Sequence, residues 1–188
     1  MTRIAIFASG SGSNAQNINE YFQDNSDVSI SLILANKADA YVLERAKNMG
    51  IPSFVFSNKE LQNTSVVIDK LKEFEIDFMV LAGFLLKVPS NLISAFPNKI
   101  VNIHPALLPK FGGKGMYGMH VHQAVVDNKE KETGITIHFV NENYDEGQII
   151  FQDKFEVAEG DTAEDVASKI HELEYKHFPR VIGEVIKG

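Results

Sequence analysis

Ile4-Ala5-Ile6-Phe7-Ala8-Ser9-Gly10-Ser11-Gly12-Ser13-Asn14 is the stretch on which the fold turns. Its first half is apolar at every position, as a parallel strand covered by helices on both sides must be. Two glycines then break the run, and a polar, helix-compatible segment follows at 14–23. A buried strand that passes through a glycine turn into a helix is the opening unit of a doubly wound α/β sheet. At such a turn the first helical N–H groups lack partners and the helix dipole is positive, so a phosphate binds readily. Ser11, Gly12, Ser13 and Asn14 are therefore candidate phosphate-binding residues; a plain strand–helix turn is the alternative. The loop also reads as G-x-G-x-x-A (Gly10, Gly12, Ala15), the dinucleotide fingerprint, which requires an acidic residue about 20 residues further on. The next strand instead ends Leu34-Ala35-Asn36-Lys37. Without that carboxylate, a phosphomonoester fits better than a nicotinamide cofactor.

Outward from this loop, the apolar runs predict strands at 3–8, 28–35, 52–56, 78–82 and 100–103. Between them lie helical patterns at 14–23, 41–49, 59–74 and 89–96. In the third, Leu61, Val66, Val67, Leu71 and Phe74 roughly follow the 3.6-residue period. The pattern changes after Pro105. A glycine-rich loop at 111–118 leads to a helix at 120–127, then two strands in close succession at 134–140 and 148–155. That spacing predicts an antiparallel pair added to a mostly parallel, Rossmann-like sheet. Thr162 and Asp165 predict a capping box at the start of a long closing helix. No repeat or linker divides the chain, so residues 1–188 read as one domain, with halves of about 1–100 and 101–188.

Composition bounds the chemistry. The chain has 188 residues, 44% of them hydrophobic, a net charge of −7 and no cysteine. A chain of this length buries a sizeable core without staples. The lack of cysteine excludes a disulfide framework, a thiolate nucleophile and a cysteine-ligated metal. The acidic balance speaks against nucleic acid and against anionic membranes. The apolar start is too short for a signal segment, and the longest apolar run, 78–86, is far short of a membrane span. The expectation is a soluble, cytoplasmic protein, monomer or homodimer.

Two polar groupings stand out. Asn102 and His104 close a predicted central strand two residues apart, so both point to the same side. An amide and an imidazole there can hold and polarise a carbonyl oxygen; a hydrogen-bonded polar pair is the alternative. Asn143-Tyr144-Asp145-Glu146-Gly147 precedes the last strand, and Gly147 offers a left-handed turn that aims Asp145 inward. A carboxylate beside His104 is expected to raise the imidazole's pKa, although an Asp in a turn is commonly turn chemistry alone. His120 and His122 diverge on a helix and lack further ligands, which speaks against metal. His138 alternates with Thr136 on a strand and lines a pocket in this reading. Glu174 lies one helical turn after His171, on a shared face.

The glycine loop together with Asn36-Lys37-Ala38-Asp39-Ala40, Leu81-Ala82-Gly83-Phe84, Asn102-Ile103-His104-Pro105-Ala106-Leu107-Leu108-Pro109-Lys110 and Asp145-Glu146-Gly147 resembles the phosphoribosylglycinamide formyltransferase family, folate-dependent enzymes of purine synthesis. These stretches follow the family's order over nearly the whole chain, and the length suits the short enzymes rather than relatives with an added domain. The resemblance implies 10-formyltetrahydrofolate as co-substrate, glycinamide ribonucleotide as acceptor, and no metal. It implies that Ser11, Gly12, Ser13 and Asn14 bind the phosphate and that Asn102 bonds the formyl oxygen. It makes His104 the general acid, with Asp145 keeping it protonated and relaying a proton through water. Leu85, Leu86, Lys87 and Val88, with the turn at Tyr144, would hold the pterin, and Glu174 the amine end of the acceptor. Three departures stand out. Residues 111–118 form a longer link than usual, Leu85-Leu86-Lys87 lacks the arginine many members carry, and Lys59-Glu60 is the nearest match to a basic position before the fourth strand.

Overall fold

The computed structural model describes Met1–Gly188, as two compact units, Met1–Val101 and Asn102–Gly188. The first contains β1 (Thr2–Ala8), α1 (Ser13–Phe22), β2 (Val28–Ala35), α2 (Val42–Met49), β3 (Ser53–Val55), α3 (Asn58–Asn63), α4 (Val66–Glu73), β4 (Phe78–Leu81) and α5 (Ser90–Ala95). Strand β5 (Ile100–His104) ends in the second unit, which continues with α6 (Met119–Asp127), β6 (Glu132–Phe139), β7 (Ile149–Glu156) and α7 (Ala163–Lys187). The strands form one sheet in the order β3-β2-β1-β4-β5-β6-β7.

In the first unit β1 pairs in parallel with β2 and β4, and β2 with β3. Ile6 sits opposite Ile33 on one side and Val80 on the other. Ile4 through Ala8 are fully buried, which explains the unbroken apolar run. In the second unit β6 and β7 form the expected antiparallel pair. The Thr162–Asp165 capping box opens α7, and Leu108–Pro109 is a cis peptide bond.

The helix expected over 59–74 is two helices. Ser57 and Glu60 form a reciprocal capping box that starts α3. Thr64 then takes an extended backbone; its hydroxyl donates to the Glu60 carbonyl at 2.7 Å and accepts from Val66 N–H at 3.3 Å. A side chain that competes in this way for helical partners ends one helix and begins the next. Strand β3 starts one residue later than 52 because Pro52 has no N–H for the ladder; only its carbonyl contributes, accepting from Ile33 N–H. The antiparallel pair begins two residues earlier than 134, with Glu132 opposite Glu156. Lys154 Nζ meets Glu132 at 2.8 Å and ties this extension down.

Candidate functional site

In the first unit the turn after β1 is shaped by close packing. Gly12 caps α1 at φ +71°, and a Cβ there would lie 2.3 Å from Val42 Cγ2. The backbone thus runs tight against α2, leaving Gly10 and Ser11 exposed. Ser9, buried at the strand end, donates to Asn36 Oδ1 at 2.6 Å and accepts from Leu85 N–H at 3.0 Å. One hydroxyl therefore joins the ends of β1 and β2 to the segment after β4. Arg45 Nε donates to the Ser11 carbonyl at 2.8 Å, and its guanidinium also meets Gln16. The Ser11 carbonyl is thereby held toward Arg45. The segment 85–88 is held at two points, by the Leu85 N–H bond to Ser9 and by Gln62, which donates to the Lys87 carbonyl at 2.8 Å. Residues 62–65 and 87–91 line a cleft of about 620 Å³.

In the second unit the end of β5 gathers four polar side chains. His138 Nδ1 lies 2.8 Å from the Phe139 carbonyl; a carbonyl only accepts, so Nδ1 carries the proton in the neutral ring. Nε2 is then an acceptor for Asn102 Nδ2 at 3.1 Å, and this bond fixes which way the amide faces. His104 Nε2 donates to the Phe111 carbonyl at 2.7 Å, while Nδ1 stands 3.6 Å from Asp145 Oδ2. Asp145 Oδ2 accepts from Gly113 N–H at 2.9 Å, and Oδ1 lies 3.6 Å from His138 Nε2. Asp145 thus sits between both imidazoles, and the glycine-rich loop supplies one backbone group to each member of the His104–Asp145 pair.

The electrostatics depart from expectation in one respect. Burial pushes His104 below the ordinary imidazole value and outweighs Asp145 and the Phe111 carbonyl, which favour its charged form; His138 adds to the lowering. The rise expected from Asp145 alone is therefore reversed. Asp145 itself is held below the usual carboxylate value. Burial, the largest single influence, acts upward, but the contact with His138, the charge of His104 and the Gly113 N–H together outweigh it. The turn also works differently from the reading at 143–147. The left-handed residue is Asp145, at φ 54°. Gly147 provides space instead, since a Cβ there would fall 1.6 Å from the Phe139 carbonyl oxygen.

The remaining candidates differ in exposure. Tyr144 is exposed. Glu174 is buried on α7 and pairs with His171. His120 is exposed beside Tyr117, whereas His122 is buried. No group of three or more His, Cys, Asp or Glu side chains is arranged to hold a metal ion, and no helix is long and apolar enough to cross a membrane.

The formyl transferase family pattern matches residues 2–182. The chain belongs to the formyl transferase family. This formyl transferase is 41% identical over 189 residues to the chloroplastic phosphoribosylglycinamide formyltransferase of Arabidopsis thaliana, across 97% of this chain and 65% of that one. It therefore spans less than two thirds of that plant relative's length. It is 38% identical to the phosphoribosylglycinamide formyltransferase of Bacillus subtilis, across 99% of this chain and 95% of that one. Among solved structures, the phosphoribosylglycinamide formyltransferase of Streptococcus pneumoniae superposes with a TM-score of 0.87 at 36% identity, covering 99% of each chain.

Three elements of the formyl transferase site went unassigned from sequence. The role of His138 was within reach, because its alternation with Thr136 puts both on one face of β6. Thr136 there accepts from Leu108 N–H and donates to the Ala106 carbonyl. Arg45 carries no local signal, being 34 residues from its Ser11 partner. The Phe111 and Gly113 backbone groups are invisible to any reading of side chains.

Proposed function

We propose that this formyl transferase moves the formyl group of 10-formyltetrahydrofolate to the amine of glycinamide ribonucleotide, yielding formylglycinamide ribonucleotide and tetrahydrofolate. The observation that carries the reading is the polar cluster at the end of β5, where Asn102, His104, His138 and Asp145 converge with no serine, cysteine or lysine side chain among them. Such a site suits a reaction whose nucleophile arrives with the substrate. The names borne by the Bacillus subtilis and Streptococcus pneumoniae relatives support the same acceptor.

In this reading the first unit, through Ser11, Gly12, Ser13 and Asn14, takes the ribonucleotide phosphate, and the backbone of Leu85, Leu86, Lys87 and Val88 takes the pterin. The second unit performs the chemistry. The amine attacks the formyl carbon, the new N–C bond forms, and negative charge gathers on the formyl oxygen. Asn102 Nδ2, one hydrogen committed to His138, gives its other to that oxygen. Burial alone would leave His104 neutral; the developing oxyanion and Asp145 both favour the imidazolium, so the ring gains its proton as the intermediate forms. That proton comes from the attacking amine, relayed by Asp145 and water. His104 then delivers it to the departing folate nitrogen as the C–N bond breaks. Holding the reactants in register and stabilising this charge account for the catalysis.

The reading includes a cytoplasmic enzyme acting as monomer or homodimer, which cell fractionation and sedimentation test. The decisive experiment mixes purified protein with 10-formyltetrahydrofolate and glycinamide ribonucleotide and follows tetrahydrofolate release. Release with water or with another amine, but none with this acceptor, overturns the assignment.

A further inference from the structure

The second unit also holds a polar cluster that the chemistry above does not use. Thr136 on β6 is fully buried. Its hydroxyl donates to the Ala106 carbonyl at 2.7 Å and accepts from Leu108 N–H at 3.0 Å and from Gln152 Nε2 at 2.8 Å. A hydroxyl has one proton and two lone pairs, so its capacity is filled. Gln152 faces Thr136 across the antiparallel pair, and its amide also donates to the Leu108 carbonyl at 3.2 Å. Both backbone groups of Leu108 are therefore held by side chains of β6 and β7. The Leu108 side chain in turn lies against Gly112, where a Cβ would fall 2.6 Å from Leu108 Cδ2 and 3.4 Å from Asp145 Cβ. Gly112 joins the two residues whose backbone serves the site. Phe111 is on one side, its carbonyl accepting from His104 Nε2, and Gly113 on the other, its N–H donating to Asp145 Oδ2.

We propose that Thr136 and Gln152 are positioning residues for the His104–Asp145 pair, acting through Leu108 and Gly112 on the Phe111 carbonyl and the Gly113 N–H. This rests on the reading that the pair carries protons in formyl transfer. A segment rich in glycine has many backbone states open to it, and here Gly113 and Gly115 both take positive φ. The loop's own residues therefore do not select the one arrangement that presents a carbonyl to His104 and an N–H to Asp145. Strands do, being the rigid elements on which a precise site is built. From β7 and β6 the constraint passes through Gln152 and Thr136 to the Leu108 backbone, and through the Leu108 side chain to Gly112. The hydroxyl and the amide hydrogens are all committed within the cluster, so what these two residues supply is placement.

The test compares the full chain with Gln152→Leu, Thr136→Val and Thr136→Ser. Valine keeps the shape of threonine without its hydroxyl, and serine keeps the hydroxyl. Gln152 is exposed on β7 and leucine is close to it in size, so Gln152→Leu carries the test even if Thr136→Val does not fold. In the tetrahydrofolate-release assay kcat should fall about tenfold in Gln152→Leu and about 10²-fold in Thr136→Val. KM for each substrate should stay within about twofold, as for an interaction that acts only in the transition state, and Thr136→Ser should restore kcat. Amide exchange followed by NMR adds a readout independent of turnover: Gly113 N–H should exchange about tenfold faster in Gln152→Leu while the α6 amides keep their rates. Undiminished kcat in Gln152→Leu overturns the proposal. So does faster Gly113 exchange matched by the α6 amides, which marks general loosening, or a Thr136→Ser variant as impaired as Thr136→Val. If the unmodified chain releases no tetrahydrofolate with glycinamide ribonucleotide, the formyl-transfer reading falls, and Gly113 exchange still decides whether the strands hold the loop.

Discussion

Replacing Gly12 with alanine tests whether close packing and a left-handed backbone shape the turn after β1. At φ +71° an L-residue costs about 1–2 kcal/mol. The added Cβ would also meet Val42 at 2.3 Å (Cγ2), 2.5 Å (Cβ) and 2.9 Å (Cα), distances no packed pair of atoms sustains. Val42 is fully buried, so the overlap must be relieved by moving backbone, at about 1–3 kcal/mol. The sum is about 2–5 kcal/mol. In a chain of this size each kcal/mol lowers Tm by about 2–4 °C, so Gly12→Ala should melt roughly 10 °C lower. Gly10 supplies the internal control: it has no positive φ, and nothing lies within 4 Å of its added Cβ. Gly10→Ala should therefore stay within about 0.5 kcal/mol of the original. Adding Val42→Ala to Gly12→Ala removes Cγ2 but leaves the rest of the overlap in place, so it restores only part of the loss. Thermal unfolding by circular dichroism reads all four chains. Equal melting temperatures for the Gly10 and Gly12 variants would refute the argument.

His104→Ala should lower kcat by about 10²–10³, the loss typical of one group that stabilises an oxyanion, with unchanged circular dichroism; full turnover removes His104 from the mechanism. His138→Ala takes away the acceptor that orients Asn102, and a net hydrogen bond of about 1–1.5 kcal/mol translates into roughly a tenfold drop in kcat. His104 and His122 both sit below the ordinary imidazole value. Their contribution is therefore complete above that value of about 6.5 and is lost as pH falls through the lower folded values. Urea unfolding should show stability declining below pH of about 6.5, and His122→Gln should make the decline shallower. Asp145 is depressed as well, so it adds a second loss below its ordinary value of about 3.9, absent in Asp145→Asn.

The handover from β1 to α1 was legible because three signals coincide there: an apolar run, paired glycines and a polar helical start. The antiparallel pair was legible from spacing alone, since 134–140 and 148–155 leave no room for a crossover helix. The division between α3 and α4 was missed because the helical period continues across Thr64, and only the hydroxyl's choice of partners breaks it. The pairing of His104 with Asp145, 41 positions apart, came through the family resemblance and not through any local pattern. The sign of the His104 shift was missed for a physical reason. A neighbouring carboxylate can be seen in a sequence, but the depth at which the imidazole is buried cannot, and here depth prevails.

The sheet's outermost strands bear on how the protein behaves in crowded solution. A free strand margin invites another chain to add itself edge to edge, the first step toward aggregation. At one margin β3 spans three residues and follows a proline, so it offers almost no template. At the other, β7 carries Asp153, Lys154 and Glu156 among its eight residues. An incoming strand would have to desolvate those charges, against a molecule already at −7. The margins that close this sheet thereby also keep separate molecules from joining theirs.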